Sequence, residues 1–494
     1  MKTSMRLPFL AIALAAASLL AASGVLGAQS TPATQPAAGA PFYGLYAWCS
    51  GIDETSSLPL IQDIGFKIIS STLDPRDKGR TDRGLALCAK NGIQVAGIVG
   101  PNAYAKTMDL DGWRKAVTEK VERYGPGGTF WKEHADVPAR PIMYWCITSE
   151  PGTEMKPPGD MMPDEAYFKC LQVAHEVLKG RSKDIQIVAM SPIGGFAAVP
   201  SMNFVDPNRK IMGPGAFTQG VHKLGGAKLY DVYDMHAFTF PMPPDTGGTV
   251  KIIDWLNEET GKNGGVKPIW FLDWGFATSY GLENPFHVTK DQVADYAVRG
   301  YMLSAAHGVQ CITYTYIHDQ FSSTAQQGKG YRYKGYGIFG PGNKMRISAK
   351  AIKMMIGLVP DRPKLLETIS DGKNPSPAPS RSSDRPYTDS PFYCYKFQGA
   401  GDDEVLVAWT EGRPFRYELK VKGDKVALYN RELLGGIVYS RENGSLIDGK
   451  IRVPITGTPF FVSTKVTPEQ EKATVIYLRP PNYKDWKPIA GAED

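Results

Sequence analysis

The segment IMYWCIT (142–148) is a short apolar run, and a second such run, IQIVAM (185–190), follows after the amphipathic stretch DEAYFKCLQVAHEVLKG (164–180). Continuous apolar runs of this length are typical of strands that are buried on both faces. Apolar residues spaced about 3.6 positions apart are typical of a helix with one buried face. A strand, a helix and a second strand in this order predict two parallel strands with the helix packed across them.

The same alternation of apolar runs and amphipathic stretches extends in both directions along the chain. The runs are FYGLYAWC (42–49), FKIIS (66–70), IQVAGIV (93–99), IMYWCIT (142–148), IQIVAM (185–190), LYDVYDMHAF (229–238), PIWFLDWGF (268–276) and CITYTYI (311–317). Eight strand–helix units predict a closed (β/α)8 TIM barrel, which is an α/β fold. An open doubly wound sheet is the alternative, but the G-x-G-x-x-G turn that such sheets use to bind phosphate is missing after the first strand.

A region of different character follows the barrel, which is predicted to span 41–362. A stretch rich in Pro and Ser marks 363–390 as a linker or loop. Short β-like runs separated by Gly, Asn and Asp then predict a C-terminal all-β domain, a β-sandwich, at 391–482. Residues 483–494 form a tail.

The N-terminal region predicts an exported protein. Lys2 and Arg6 precede an Ala- and Leu-rich run and a stretch of small residues, which is the layout of a secretory signal peptide at 1–28. The small, polar and Pro-containing segment 29–40 is predicted to be a flexible lead-in. We therefore expect a secreted or periplasmic protein without a stable membrane partner, with an uncleaved membrane anchor as the alternative.

Composition and cysteine spacing argue against several classes of function. The chain has 56 basic and 50 acidic residues, and its net charge of +6 is spread without a dense Lys/Arg cluster, so no nucleic-acid partner is predicted. The cysteines form no C-x-x-C pair, so neither a structural zinc site nor a thioredoxin-like pair is expected. One or two disulfides are compatible with an oxidising compartment, and their pairing stays open. The six cysteines are Cys49, Cys88, Cys146, Cys170, Cys311 and Cys394.

Two carboxylates stand at the ends of predicted barrel strands. Glu150 follows the fourth run, and Asp273 lies at the end of the seventh. Such barrels build their active sites at the carboxyl ends of the strands, where strands four and seven face each other. Cleavage of a glycosidic bond uses one carboxylic acid that protonates the leaving oxygen and one carboxylate that attacks carbon or activates water. A single carboxylate after a strand is more often a cap or a solvated charge, but the aromatic neighbours of both residues favour a site.

The fourth run ends in Ser149-Glu150-Pro151, the seventh in Asp273-Trp274-Gly275, and HAF (236–238) ends the sixth. These motifs resemble those of the retaining glycoside hydrolases of the large (β/α)8-barrel clan, clan A, in particular its β-xylosidase and α-iduronidase branch. In that clan the fourth strand ends in Asn-Glu-Pro, the seventh carries Glu followed shortly by Gly, and the sixth carries His-x-Tyr.

The resemblance implies a hydrolase that acts on a polysaccharide or oligosaccharide and needs no cofactor or metal. It implies Glu150 as general acid/base and Asp273 as nucleophile. His236 would orient a carboxylate or a sugar hydroxyl. Ser149 stands where the clan has an Asn that binds the sugar, and Phe238 stands where it has a Tyr.

Replacement of the usual Glu by Asp273 leaves the mechanism open. Asp is one methylene shorter, so on an unchanged backbone its carboxylate would retreat by about one ångström from the ~5–5.5 Å separation that direct attack needs. Three alternatives follow: an inverting enzyme, a retaining enzyme whose backbone has shifted to restore attack, or a catalytically silent barrel that binds polysaccharide.

Further residues near strand ends are candidates for contact with a sugar. Trp48, Trp274 and Tyr316 are predicted to present flat rings for stacking, and His318 is predicted to hydrogen-bond. The alternative for the aromatic residues is packing in the core, and for His318 a role in a loop cap. The oligomeric state stays open.

Overall fold

The structure of the protein is a computed structural model. It describes residues 39–73, 78–147, 150, 163–194, 205–206, 211–239, 241–278, 288–318, 336–373 and 391–472. The predicted signal peptide, nearly all of the lead-in and the predicted tail therefore lie outside the described residues.

Eight parallel strands close into a barrel, as the apolar runs predict. Their order around the barrel is β1-β10-β9-β8-β5-β4-β3-β2, and a two-stranded hairpin, β6 and β7, follows β5. Each predicted run overlaps one barrel strand, so the TIM-barrel prediction is confirmed. The strands are β1 (Tyr43–Tyr46), β2 (Ile68–Thr72), β3 (Gln94–Val99), β4 (Tyr144–Ile147), β5 (Gln186–Gly194), β6 (Val205–Asp206), β7 (Ile211–Met212), β8 (Val232–Ala237), β9 (Ile269–Trp274) and β10 (Val309–Tyr314).

Helices cover the outside of the barrel. They are α1 (Ser57–Ile64), α2 (Lys78–Lys90), α3 (Asn102–Thr107), α4 (Leu110–Tyr124), α5 (Thr129–Glu133), α6 (Asp164–Arg181), α7 (Pro214–Lys223), α8 (Thr249–Lys262), α9 (Lys290–Ala306) and α10 (Ile347–Leu358). Thr289 caps α9, because its hydroxyl accepts from the Gln292 N–H while the Gln292 side chain accepts from the Thr289 N–H. None of the helices in the described part of the chain is long and apolar enough to cross a membrane.

Side chains fill the bore of the barrel, so its lower part is a packed core. The bore contains Ala40, Ile68, Ala96, Ile98, Cys146, Val188, Val232, Trp270, Leu272 and Cys311. The ring of Trp270 lies in the bore, 4.8 Å from the ring of Tyr144. The outward residues of the same strands pack beneath the helices, as strand alternation requires.

The C-terminal region is a β-sandwich of a six-stranded and a three-stranded sheet, ordered β11-β12-β13-β19-β15-β16 and β14-β18-β17. Apolar side chains from both sheets form one core between them. The strands are β11 (Leu365–Lys373), β12 (Phe392–Gln398), β13 (Glu404–Thr410), β14 (Phe415–Lys420), β15 (Lys425–Tyr429), β16 (Ile437–Ser440), β17 (Leu446–Ile447), β18 (Lys450–Ile455) and β19 (Phe460–Ser463).

The six-stranded sheet is also buried on its second face. Alternation along β12 and β13 directs Cys394 and Ala408 into the sandwich, whereas Tyr395 and Trp409 join the hydrophobic core that surrounds the barrel. The barrel and the β domain therefore share a core.

The predicted linker at 363–390 is wrong for its first part. Leu365–Lys373 is strand β11, which pairs antiparallel with β12 at the edge of the six-stranded sheet. Its residues are mostly exposed or half-buried, so the segment lacks the apolar alternation by which a strand is recognised. Residues 374–390 lie outside the described part of the chain.

Candidate active site

Glu150, His236 and Asp273 meet at the carboxyl end of the barrel, and we call this group the carboxylate site. One oxygen of Glu150, one oxygen of Asp273 and a ring nitrogen of His236 all lie within 4.8 Å of one another. All three side chains are largely buried. The structure thus brings together the two predicted catalytic residues and the predicted orienting histidine.

Strand β8 places His236 in the site and a second charged residue beneath it. Alternation along β8 directs Asp234 and His236 to the inside of the barrel, while Tyr233 and Met235 face the helices. Asp234 is fully buried, accepts from the Leu272 backbone N–H at 2.9 Å, and also accepts from the Ser191 hydroxyl. Its other neighbour is the imidazole of His236, with Nε2 at 3.5 Å from Oδ2.

A β-bulge in β9 aims Asp273 into the site. The pairing of β9 with β10 shifts register between Phe271↔Ile312 and Trp274↔Tyr314. Leu272 points into the barrel, so in a regular strand the next residue, Asp273, would point outward. Because of the register shift, Asp273 also points inward and reaches the carboxylate site. Bulges are one of the devices by which a strand re-aims a side chain next to a site.

The same bulge makes the prediction for Trp274 wrong. The indole of Trp274 is 0% exposed and packs in the outer core against the rings of Phe276, Tyr301 and Tyr314. Helix α9 approaches so closely here that a Cβ on Gly300 would lie 2.1 Å from Cζ2 of Trp274. From this position the ring supports β9 and cannot stack on a ligand in the barrel mouth.

His236 lies among carboxylates and is held as an imidazolium. Burial opposes its protonation, but hydrogen bonds to Asp234 and Glu150, with the charges of Asp234 and Asp273, raise the pKa of His236 well above its usual value. Nδ1 donates to Oε1 of Glu150 at 2.9 Å and lies 4.0 Å from Oδ2 of Asp273. With acceptors on both sides of the ring, each nitrogen carries a proton. The cation lies among the carboxyl groups of Glu150, Asp234 and Asp273.

The buried position of Asp273 makes its carboxyl group harder to ionise. Burial, together with the charges of Glu150 and Asp234, raises the pKa of Asp273 to about 6 against the opposing effects of His236 and of a hydrogen bond from the Thr315 hydroxyl. Oxygens of the two carboxylates approach within 4.8 Å, although the Asp side chain is one methylene shorter than Glu.

The carboxylate site does not fit a metal ion. One imidazole nitrogen and two carboxylate oxygens lie within 4.8 Å of one another, which is close enough for the three atoms to bind one metal ion. A histidine that binds a metal must be neutral and offer a free lone pair, and here the Glu150 and Asp234 carboxylates hold protons on both ring nitrogens. The prediction that no metal or cofactor is needed stays a prediction.

Strand β1 adds Tyr46, which the sequence did not single out, to the wall of the site. Its hydroxyl hydrogen-bonds the side chains of Thr72 and Trp48, and burial together with the charges of Asp273 and Glu150 raises its pKa. The indole N–H of Trp48 donates to this hydroxyl. Trp48 is 49% exposed, and its stacking on a sugar stays a prediction.

Aromatic rings continue from Tyr46 around the mouth. The ring of Tyr316 lies 5.6 Å from that of Tyr46 and 6.3 Å from that of Tyr336, and Tyr336 in turn lies 6.3 Å from Phe238. These four rings form what we call the aromatic rim. Tyr336 is buried and supports its neighbours, whereas Tyr316 is half-buried. The stacking role predicted for Tyr316 stays a prediction.

Two predicted binding residues are not connected to the carboxylate site by the described contacts. The ring of His318 lies 6.1 Å from that of Phe339, and its backbone forms a β-bridge with the same residue. Ser149 lies outside the described residues. The binding roles of both residues stay predictions.

No protein-family model matches the sequence, and no curated protein matches it in sequence. Solved structures do match the fold. A family 39 glycoside hydrolase from Bacteroides cellulosilyticus matches with a TM-score of 0.55 at 16% identity, over 83% of this chain and 77% of its own. In fold, the chain is similar to clan A glycoside hydrolases.

Other structures with this glycoside hydrolase fold agree. A family 39 β-xylosidase from Caulobacter crescentus matches with a TM-score of 0.55 at 15% identity, over 86% of this chain and 96% of its own. An α-L-arabinofuranosidase from Thermotoga maritima also has a TM-score of 0.55, at 12% identity and the same two coverages of 86% and 96%. The predicted resemblance is thus confirmed for the fold, while the chemistry rests on the carboxylate site.

Proposed function

We propose that this chain is an exported glycoside hydrolase that cleaves polysaccharides or oligosaccharides with retention of anomeric configuration. The observation that carries the proposal is the approach of Glu150 and Asp273 to within 4.8 Å at the mouth of the barrel. Carboxylates about 5 Å apart permit direct attack on the sugar, whereas inverting enzymes keep them roughly 6.5–9.5 Å apart to admit water. The fold shared with glycoside hydrolases supports the same assignment.

In the first step, the carboxylate of Asp273 attacks the anomeric carbon and displaces the leaving group. Glu150, as general acid, protonates the oxygen of the departing alcohol, and a glycosyl ester forms on Asp273. In the second step, Glu150 takes a proton from water, whose oxygen attacks the anomeric carbon and releases the Asp273 carboxylate. His236 holds Glu150 through the 2.9 Å hydrogen bond.

The raised pKa of Asp273, about 6, sets the acid side of activity. A nucleophile must be ionised, so kcat/KM is expected to fall as the pH drops through about 6. The same shift also favours a second assignment, in which protonated Asp273 is the acid and Glu150, ion-paired with His236, is the nucleophile.

The hydrolase proposal is tested by product release from polysaccharides and aryl glycosides, including xylosides and arabinofuranosides, with wild type, Glu150→Gln and Asp273→Asn. Asp273→Asn is expected to lose at least 10³-fold in turnover on every substrate. Glu150→Gln is expected to lose as much on polysaccharides, whose leaving groups need protonation, and both variants should retain sugar affinity. Lys425→Met, a surface change in the β domain, is the matched control. Wild-type silence across the panel with measurable polysaccharide binding would replace the proposal with the silent sugar-binding barrel.

Azide rescue separates the two assignments of the carboxylates. If Glu150 is the acid/base, Glu150→Ala keeps activity on glycosides with good leaving groups, and azide gives a glycosyl azide of retained configuration. Asp273→Ala with azide then gives the inverted glycosyl azide. The opposite pattern would assign the nucleophile to Glu150.

A further inference from the structure

Cys49 and Cys88 are two buried thiols that the proposed chemistry does not use. Cys49 begins the turn Cys49–Gly51 that follows β1, and Cys88 lies in α2. Both are 0% exposed, and both are free thiols in this structure. The two residues belong to different elements, 39 positions apart along the chain.

Gly84 brings helix α2 onto the turn that carries Cys49. A Cβ on Gly84 would lie 1.8 Å from the backbone oxygen of Cys49, so only glycine permits this approach. Residues four positions apart lie on the same face of a helix, one turn above each other. Cys88 is four positions after Gly84 and therefore faces the same turn, and its thiol hydrogen-bonds the thiol of Cys49.

The remaining cysteines have no comparable arrangement. Cys146 and Cys311 both face the bore, but β4 and β10 lie on opposite sides of the closed barrel, with three strands between them in either direction. A disulfide needs Cα atoms about 4.4–6.8 Å apart, which opposite strands of a packed barrel do not provide. Cys170 lies in α6, and Cys394 lies in the β-sandwich core.

We propose that Cys49 and Cys88 are a modification site at which a disulfide forms when the protein folds in the presence of a disulfide oxidant such as oxidised glutathione. The bond fastens α2 to the turn next to Trp48, the exposed ring at the mouth of the barrel. The proposal concerns the covalent structure and does not depend on the proposed sugar chemistry.

The exchange is balanced between the protein and the oxidant. The hydrogen bond from Cys88 lowers the pKa of the Cys49 thiol, while that bond and burial raise the pKa of Cys88. During folding, before the thiols are buried, the Cys49 thiolate attacks the oxidant, forming a mixed disulfide and releasing one thiol. The Cys88 thiol loses its proton and attacks the sulfur of Cys49, releasing the second thiol. Two cysteine thiols are oxidised and one external disulfide is reduced to two thiols.

A peptide map tests the proposal. The full chain is unfolded with reductant, refolded in a mixture of reduced and oxidised glutathione, alkylated under denaturing conditions and digested without reduction. We expect the peptides containing Cys49 and Cys88 to be joined, with a mass 2 Da below the sum of the two free peptides, and the other cysteines to be alkylated. Reduction is expected to separate the pair and to lower the Tm by a few degrees.

Variants supply the controls. Cys88→Ala is expected to leave Cys49 alkylated or joined to glutathione, and the double variant Cys49→Ala/Cys88→Ala is expected to have a Tm that does not respond to reductant. Cys170→Ala is the matched control, because it removes a buried thiol and should preserve the joined peptides. Alkylation of both Cys49 and Cys88 in refolded wild type, or a disulfide from either of them to another cysteine, would overturn the proposal. This outcome is measured on the wild-type chain, so it does not depend on whether a variant folds.

Discussion

At the scale of single residues, Asp234 determines the charge of the carboxylate site without entering it. The residue is fully buried, two positions before His236 on β8, and its carboxylate faces the imidazole from below. Its negative charge is one of the reasons why His236 is protonated. Asp234 is therefore a positioning residue that acts on Glu150 through the imidazolium.

We predict that Asp234→Asn shifts the pH profile of activity toward acid, because the charge of Asp234 raises the pKa of both Asp273 and His236. Loss of the buried charge lowers the pKa of His236, so the imidazolium is lost at a lower pH and the alkaline limb of kcat/KM shifts toward acid by about one pH unit or more. Asp273 loses its cationic neighbour over the same range. Ser191→Ala, which removes only a hydrogen bond to Asp234, is the control, and a profile that is unchanged in Asp234→Asn would contradict this role.

Trp48 and Trp274 are predicted to respond in opposite ways to truncation. Trp48→Ala removes a half-exposed ring and is expected to raise KM several-fold while changing the free energy of unfolding by no more than about 1 kcal/mol. Trp274→Ala empties a buried site and is expected to cost about 3–5 kcal/mol. Steady-state kinetics and urea denaturation separate the two effects. An unchanged KM for Trp48→Ala would remove it from the binding surface.

The residue composition of the site was partly readable from the sequence. Glu150, His236 and Asp273 were predictable because each follows or ends an apolar run and because barrel strands direct such residues to one mouth. Asp234 lies two positions before His236, so the alternation of β8 places both side chains on the same face of the strand. Because Asp234 lies inside an apolar run and not at its end, the sequence pattern does not mark it as a site residue. Trp274 was misplaced because a bulge changes which side chain points inward, and bulges depend on the partner strand.

At the scale of elements, β9 and α9 are packed tightly against each other behind the site. The bulged strand presents Asp273 on one side and Trp274 on the other, and the close approach at Gly300 fixes the indole against the helix. Displacement of the helix would therefore be transmitted to the carboxylate of Asp273 through a single rigid ring.

We predict that Gly300→Ala lowers both stability and activity. The added methyl group meets the indole of Trp274 at a distance that no packed pair adopts, so about 1–3 kcal/mol of stability and at least about tenfold in kcat/KM are expected to be lost. Gly180→Ala in α6 is the matched control: nothing lies within 4 Å of its Cβ position, and it should raise stability by up to about 1 kcal/mol. Equal behaviour of both variants in urea would contradict the role of Gly300.

Elements with regular burial were predictable, and those without it were not. The eight barrel strands and the capped helix α9 have uninterrupted or periodic apolar patterns that reflect their surroundings. Strand β11 has no such pattern, because it lies at the edge of a sheet and owes its structure to pairing with β12. An edge strand is stabilised by hydrogen bonds to its neighbouring strand, so the composition of its own segment is not enough to predict it.

At the scale of the whole molecule, a buried ionic network joins the barrel to the β domain. Arg299 of α9 is 3% exposed; its Nε donates to the Gly457 carbonyl at 2.9 Å, and its guanidinium pairs with Asp245 and Glu411. The indole of Trp409 donates to the same Asp245 carboxylate at 2.7 Å. Each domain thus supplies partners for charges that the other domain buries.

We predict that Arg299→Met costs about 3–5 kcal/mol in the free energy of unfolding, because Asp245 and Glu411 lose their buried cation. The barrel and the β domain are expected to unfold in one transition in both wild type and variant, since they share a core. Denaturant titration followed by fluorescence and circular dichroism checks both statements, with Lys425→Met, which disrupts a surface pair, expected to cost less than about 1 kcal/mol. Two separate transitions in wild type would show that the domains are independent.

The six-stranded sheet that is covered on both faces has a consequence for any attempt to cut this chain into its domains. Removal of the sandwich would expose the apolar face that the barrel now shares with it, and the isolated sandwich would expose the other side of the same contact. A barrel expressed without the sandwich is therefore expected to present a large apolar surface to water and to aggregate.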